Sequence, residues 1–138
     1  MGLLLLAGLT GCELEGSSNG KLDGYWHLEQ ADSLSGGGVA NLREQYYFWS
    51  VQGRLLTVDD RSIVQNGYYF SFEHKGDSLI LSNPYCNNRE EGDPAVEDVS
   101  VLRSFGINAL SEGFLIEKLS GGKMVLKSNT LRLYFVKF

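Results

Sequence analysis

Apolar and polar residues alternate with a period of two in short stretches of this 138-residue chain. In YYFSFE, residues 68–73, the side chains of Tyr68, Phe70 and Phe72 fall on one side of an extended backbone, and those between them fall on the other. The segment LRLYFV, residues 131–136, alternates in the same way. Successive side chains of a β-strand point to opposite faces, whereas one face of a helix recurs every three or four residues. These stretches therefore predict half-buried strands.

Residues that tolerate tight turns separate the stretches. Glycine or asparagine stands in the connections 52–53, 74–77, 121–122 and 128–129, and both residue types accept the positive φ values of hairpin turns. Strands joined in this way pair as antiparallel hairpins. The predicted strands, each rich in aromatic or aliphatic residues, are 25–30, 44–51, 54–58, 68–73, 78–82, 114–119, 123–127 and 131–136.

About eight short antiparallel strands favour a closed barrel. The open edge of a sheet invites pairing with other chains, and eight strands are the number that small barrels use. A sandwich of two sheets is the alternative. Only residues 101–110 have helical character, and Gly106 among them limits the helix to a turn or two. We therefore expect an all-β antiparallel meander of about eight strands closed as a barrel, with this short helix as a plug or flap near one end.

The N-terminal residues combine an apolar run with a cysteine. Residues 3–9 are too few to span a bilayer, which takes roughly 18 apolar residues. The sequence LTGC, residues 9–12, resembles the lipobox of bacterial lipoproteins. The resemblance implies that residues 1–11 are a signal peptide and that Cys12 carries a diacylglycerol on its sulfur. No lysine or arginine stands between Met1 and Leu3, where such leaders carry a basic region, which suggests a start codon further upstream.

Lipidation would leave the second cysteine, Cys86, without a partner in the chain. The alternative is a disulfide between Cys12 and Cys86 in an oxidising compartment. Residues 12–21 are polar and small, which is typical of a flexible tether, and residues 22–138 form the predicted domain.

The first predicted strand opens with Gly24-Tyr25-Trp26, which is similar to the Gly-x-Trp motif of lipocalins. This resemblance implies that Trp26 closes one end of a lipocalin-like barrel and that an arginine of the last strand, matched here by Arg132, packs over the indole. Such a cation–π pair contributes about 0.5–2 kcal/mol. The resemblance covers about residues 22–138. In leader, length and terminal strand, the chain looks like the short lipocalin-like lipoproteins of Gram-negative bacteria.

The alternating aromatic residues raise the question of what the barrel interior holds. One possibility is an apolar cavity that takes a small hydrophobic ligand. The alternative is an interior filled by the same side chains, since an eight-stranded barrel is just wide enough for them. Tyr47 and Trp49 then project from the opposite face and mark a partner surface. The candidate cavity residues are Tyr46, Phe48, Tyr68, Phe70, Phe72, Leu133 and Phe135.

The sequence gives little support for nucleic-acid binding, metal binding, hydrolase chemistry or phosphate binding. A net charge of -5 and scattered cations disfavour nucleic acid as a partner. His27 and His74 lack the spacing of a metal site, and no Gly-x-Ser-x-Gly motif is present. The glycine-rich residues 35–38 lack the ending of a phosphate loop and are expected to overhang the barrel mouth. The long acidic stretch 83–98 lacks the spacing of a calcium loop and is expected to be a solvated loop.

The sequence thus predicts a non-enzymatic lipoprotein with no metal and no cofactor. We expect it to be anchored in the bacterial envelope, at the outer membrane, through Cys12, and to bind a small apolar or amphipathic molecule. The alternative is an interaction module that holds an envelope protein and has a packed interior.

Overall fold

The computed structural model describes residues 19–63 and 67–138, which form an all-β fold of antiparallel strands. Short 3₁₀ helices occupy Gly20–Leu22, Arg89–Glu91 and Val99–Phe105. The strands are β1 Gly24–Ser33, β2 Val39–Asn41, β3 Tyr47–Gln52, β4 Leu55–Asp60, β5 Tyr68–Lys75, β6 Ser78–Cys86, β7 Glu112–Leu119, β8 Lys123–Lys127 and β9 Leu131–Lys137.

The sheet closes on itself because the first long strand pairs with the last. Trp26 of β1 lies opposite Trp49 of β3 on one side and opposite Lys137 of β9 on the other. From β3 to β9, each strand pairs with the next in sequence. The predicted barrel of eight strands is therefore confirmed, with β2 as an additional short strand, and the two-sheet sandwich is excluded.

Strand β1 is long, and it changes partner along its length. Its first residues pair with β3 as far as His27, whereas Gln30 and the two residues after it pair with β2. Its register with β9 shifts between Leu28 and Gln30, which marks a β-bulge. Bulges bend strands and are common at barrel rims. The second half of β1 therefore leaves β3 but stays paired with β9, and it carries β2 on its other side.

The two ends of the barrel are built differently. Tight turns at 53–54, 76–77 and 120–122 lie at one end, together with the 3₁₀ helix Gly20–Leu22. We call this the closed end. The connections that follow β1, β4, β6 and β8 lie at the opposite end, which we call the mouth.

The mouth is partly filled by the segment that the sequence predicted as a helix at 101–110. The segment is a 3₁₀ helix from Val99 to Phe105, and Gly106 ends it with a φ of 82°. The Asp98 carboxylate accepts a hydrogen bond from the Ser100 N–H at 3.0 Å, and this bond lowers the pKa of Asp98. Leu102 and Ile107 are wholly buried in the barrel core. We call residues 99–107 the plug.

The acidic stretch 83–98 is more ordered than the expected solvated loop. Strand β6 continues to Cys86, whose N–H donates to the Pro94 carbonyl at 2.8 Å, and the Val96 N–H donates to the Pro84 carbonyl at 2.9 Å. Val96 packs into the core. The stretch is therefore a folded flap beside the plug. Four of its five acidic residues are exposed, whereas Asp93 is half-buried and accepts a hydrogen bond from the Asn88 N–H at 2.9 Å.

Candidate functional site

Strand β3 has the opposite orientation to the one expected. Trp49 is wholly buried in the core, and its Nε1–H donates to the Phe105 carbonyl of the plug at 3.0 Å. Tyr47 packs against the core as well, with its ring 5.6 Å from that of Phe105. The expectation that Tyr47 and Trp49 form an exposed partner surface is therefore wrong.

Phe48 and Tyr46 consequently face away from the interior, contrary to their expected place along a cavity. Tyr46 is 54% exposed. Phe48 is buried on the outer face of the barrel, where the His27 ring stacks on it at 5.0 Å and the Arg61 guanidinium lies 4.3 Å from its centre. Residues 46–49 are four consecutive aromatic residues. The sequence pattern therefore could not show which of them face the interior and which face outward.

The other expected cavity residues point inward, as their alternation predicts. Phe70, Leu133 and Phe135 belong to the buried core, and Tyr68 and Phe72 pack against it. The Phe135 ring lies 4.9 Å from Trp49, and the Tyr68 ring lies 6.3 Å from Phe105. Burial raises the pKa of the Tyr68 hydroxyl, and the neighbouring Cys86 raises it further. These side chains fill the space between the barrel wall and the plug.

At the closed end, Trp26 is wholly buried, and its Nε1–H donates to the Leu22 carbonyl at 2.9 Å. The cation over its ring is Lys137, with Nζ 4.9 Å from the ring centre, and not the expected Arg132. A Cβ on Gly24 would come within 2.9 Å of Lys137 Cε, so the glycine makes room for this lysine.

Arg132 lies on the outer face instead. Its Nε donates to Glu117 Oε1 at 2.6 Å, and this contact lowers the pKa of the Glu117 carboxyl. The neighbours of Arg132 in β9, Leu131 and Leu133, belong to the inward-facing set with Phe135. The alternation of the strand therefore places position 132 outside, whereas Lys137 reaches Trp26 from the strand end.

The mouth contains a cavity that the aromatic pattern did not predict. It has a volume of about 510 Å³ and lies where β1 leaves β3, between β2 and the plug. Its apolar surface comes from Ala31 of β1, Val39 and Ala40 of β2, and the nearby Leu42, Tyr47 and Leu131.

Polar groups stand along one part of this cavity. Ser33, Ser104 and the exposed side chain of Arg103 line it. Arg103 takes no part in the four ion pairs found within residues 19–63 and 67–138. An apolar cavity with a few polar groups can orient a small amphipathic molecule.

Of the glycine-rich connection that was expected to overhang the mouth, only Gly38 lines the cavity. The connection 34–38 folds back through a bond from the Ser33 N–H to the Gly38 carbonyl at 2.7 Å and leads directly into β2. Residues 35–38 were expected to overhang the mouth, whereas the strand that follows them was not predicted. Val39-Ala40-Asn41 is too short to show a period.

The expectations for the two cysteines, for a metal site and for a membrane-spanning helix can be compared with the described residues only. Cys12 and the rest of residues 1–18 lie outside the described residues. Cys86 is a half-buried free thiol of β6. Among the residues that the structure covers, no three histidine, cysteine, aspartate or glutamate side chains are grouped as a metal site would require. No helix in that part of the chain has the length and apolar character needed to cross a membrane.

Comparison with known proteins relates the whole described barrel to one family. A family model described as a lipocalin-like domain matches residues 5–138. The crystal structure of a lipocalin-like protein from Bacteroides uniformis is similar, with a TM-score of 0.62, 19% identity, and coverage of 86% of this chain and 100% of that chain. An uncharacterised protein from Bacteroides eggerthii gives a TM-score of 0.61 and 22% identity, with coverage of 85% and 99%. Among curated proteins, none matches this sequence significantly. At these identities, the two structures establish a shared fold.

Proposed function

The chain belongs to the lipocalin-like domain family, and from this premise we propose that it is a lipid-anchored binding protein of the bacterial envelope. Its ligand is a small apolar or amphipathic molecule held in the mouth cavity. The protein binds this molecule without transforming it.

The observation that carries the binding proposal is the cavity between β2 and the plug. Its volume of about 510 Å³ falls in the usual range for small-molecule sites, roughly 300–1,000 Å³. The aliphatic and aromatic lining favours an apolar body, and Ser33, Ser104 and Arg103 favour a polar group at one edge. The barrel interior is occupied by its own side chains, including Trp49 and Phe135. The proposed ligand therefore rests on top of the plug and not inside the barrel.

Filling the cavity tests this site. Ala40→Trp puts a large side chain from an exposed position of β2 into the cavity, and we expect it to weaken binding of the neutral fluorescent probe N-phenyl-1-naphthylamine at least about tenfold. The probe is titrated into each protein, and its fluorescence is followed. Native mass spectrometry of protein purified from its host shows, in parallel, whether a copurifying molecule is lost.

The matched control is Ala95→Trp, which makes the same change at an exposed position of the acidic flap outside the cavity. This variant should bind the probe as the wild type does. Equal affinities for the wild type and Ala40→Trp would reject the mouth cavity as the binding site.

The anchor is proposed from the leader and the cysteine. Burial of an acyl chain contributes roughly 0.8 kcal/mol per methylene, so the two or three chains of a bacterial lipoprotein hold it firmly to a membrane. The lipobox-like LTGC ends at Cys12, and the described chain begins seven residues later, at Asn19. We place the anchored protein at the outer membrane.

Substitution of the two cysteines separates the anchor from the fold. We expect Cys12→Ser to move the protein from the membrane fraction to the soluble fraction and to remove the acyl mass from its N-terminal peptide. Cys86→Ser should leave both unchanged, because this thiol belongs to β6. Fractionation of the host cells and mass spectrometry provide the readouts. An unmodified Cys12 in protein from the host would refute the anchor.

A further inference from the structure

The two ends of the barrel carry opposite charge. Five of the six lysines lie at the closed end, at positions within two residues of a turn or a strand end, and Arg54 joins them in the β3–β4 turn. Among the described residues, four carboxylate side chains lie equally close to these turns and strand ends, those of Asp23, Glu73, Asp77 and Glu117. The basic residues of the closed end are the exposed Lys21, Arg54, Lys75, Lys118 and Lys123 and the half-buried Lys137.

At the mouth, the balance of charged side chains is acidic. The acidic flap alone contributes five carboxylates, four of them on exposed residues, and Asp59 and Asp60 lie at the mouth end of β4. Burial raises the pKa of Asp59, while the nearby Arg61 opposes this shift. The flap carboxylates are Glu90, Glu91, Asp93, Glu97 and Asp98. A chain with a net charge of -5 thus keeps a basic surface at one end.

Apolar side chains are exposed among the cations of the closed end. Leu55 opens β4 and is 50% exposed, and Phe138 follows β9 and is 82% exposed. Tyr25, the second residue of β1, is also exposed, and its carbonyl accepts a hydrogen bond from the Phe138 N–H at 2.9 Å. Lysine and arginine around exposed aromatic and aliphatic groups are typical of surfaces that lie at a membrane interface.

The described chain also begins at this end. The Asn19 amide donates to the Gly53 carbonyl of the β3–β4 turn at 2.8 Å, and Leu22 is wholly buried under Trp26. Residue 12 is seven residues upstream of Asn19. A chain extends at most about 3.6 Å per residue, so Cys12 lies within about 25 Å of the closed end whatever its conformation.

We propose that the closed end is a docking surface for an anionic lipid bilayer, which Lys21, Arg54, Lys75 and Lys123 contact while Leu55 and Phe138 enter the headgroup region. The proposal rests on the proposed membrane attachment and adds an orientation to it. The mouth cavity then points away from the lipid, and the carboxylates of the acidic flap are kept from the anionic headgroups.

The charges are numerous enough for a measurable effect. Each basic residue near an anionic membrane surface strengthens binding roughly fivefold, and the attraction fades beyond a Debye length of about 10 Å at 0.1 M salt. Three charge reversals at the closed end should therefore weaken binding to anionic vesicles at least about a hundredfold.

Vesicle sedimentation of the unlipidated chain tests the surface directly. The chain from residue 12 onward, with Cys12→Ser, is mixed with vesicles of phosphatidylcholine alone or with about one-third phosphatidylglycerol. We expect preferential binding to the anionic vesicles that falls as salt rises. Adding Lys21→Glu, Arg54→Glu and Lys123→Glu should remove this preference.

The matched control reverses three arginines in the connections of the mouth, Arg61→Glu, Arg89→Glu and Arg103→Glu, with the same change in net charge. It should keep the preference for anionic vesicles, and circular dichroism checks that both triple variants fold. Equal binding to both kinds of vesicle, or an equal loss in the mouth variant, would overturn the proposal. Because no variant here carries an acyl chain, the result is independent of whether Cys12 is lipidated in the host.

Discussion

Replacing Trp49 with alanine lowers the free energy of unfolding by about 3–5 kcal/mol, the usual cost of removing a large aromatic side chain from a core. The indole is wholly buried, its ring packs edge-on against Phe114 and Phe135, and it donates a hydrogen bond to the Phe105 carbonyl of the plug. Single domains are stable by only about 5–15 kcal/mol, so this variant should be close to unfolding at room temperature. Urea denaturation followed by far-ultraviolet circular dichroism measures the change.

Two further variants separate the reasons for this loss. Trp49→Phe keeps most of the ring but leaves the buried Phe105 carbonyl without its donor, which costs about 1–3 kcal/mol. Tyr46→Ala, on the exposed side of the same four-residue aromatic run, should change stability by no more than about 0.5 kcal/mol. Comparable losses at positions 46 and 49 would show that β3 does not have the orientation described.

Gly106→Ala should destabilise the protein by about 2–5 kcal/mol for two combined reasons. A φ of 82° costs an L-residue about 1–2 kcal/mol, and overpacking a core costs about 1–3 kcal/mol. The new Cβ would lie 2.7 and 2.8 Å from the two methyl carbons of Leu133. Leu133 is wholly buried in the core and has little room to move away. Thermal and urea unfolding give the magnitude.

Gly53→Ala is the control for the backbone component. Gly53 also has a positive φ, 60°, but a Cβ there would meet nothing within 4 Å, so the loss should be limited to about 1–2 kcal/mol. Gly106→Ala should cost less in a Leu133→Ala background, because the smaller side chain relieves the collision. If Gly53→Ala and Gly106→Ala lowered the free energy of unfolding equally, the collision with Leu133 would not contribute to the loss at position 106.

The strands were predictable because their patterns carry local information. In β5 and β9, single apolar residues alternate with polar or less apolar ones, and the inward set follows directly, as with Phe70 and Leu133. In β3 the aromatic run 46–49 is apolar on both faces. The choice between Phe48 and Trp49 depends on partners distant in sequence: Phe114 and Phe135 inside, and Arg61 and Phe138 outside.

The candidate site was predictable only in part, because it consists of tertiary contacts. Residues 35–38 were expected over the mouth, but the mouth cavity needs the bulge of β1, the three-residue β2 and the plug together. None of these three features is marked by a regular spacing of apolar residues in the sequence. The cation over Trp26 shows the same limit, since a family pattern suggested Arg132 whereas the strand end brings Lys137 to the ring.

The pairing of β1 with β9 determines when the barrel can close during synthesis. Strands β1 and β9 are neighbours, with Trp26 opposite Lys137 and Ser33 opposite Leu131, so the barrel wall is incomplete until β9 has been synthesised. Contacts between such distant parts of a chain also slow folding. The emerging polypeptide thus cannot close its barrel before β9 has left the ribosome, and an unclosed chain can still be threaded through a narrow pore.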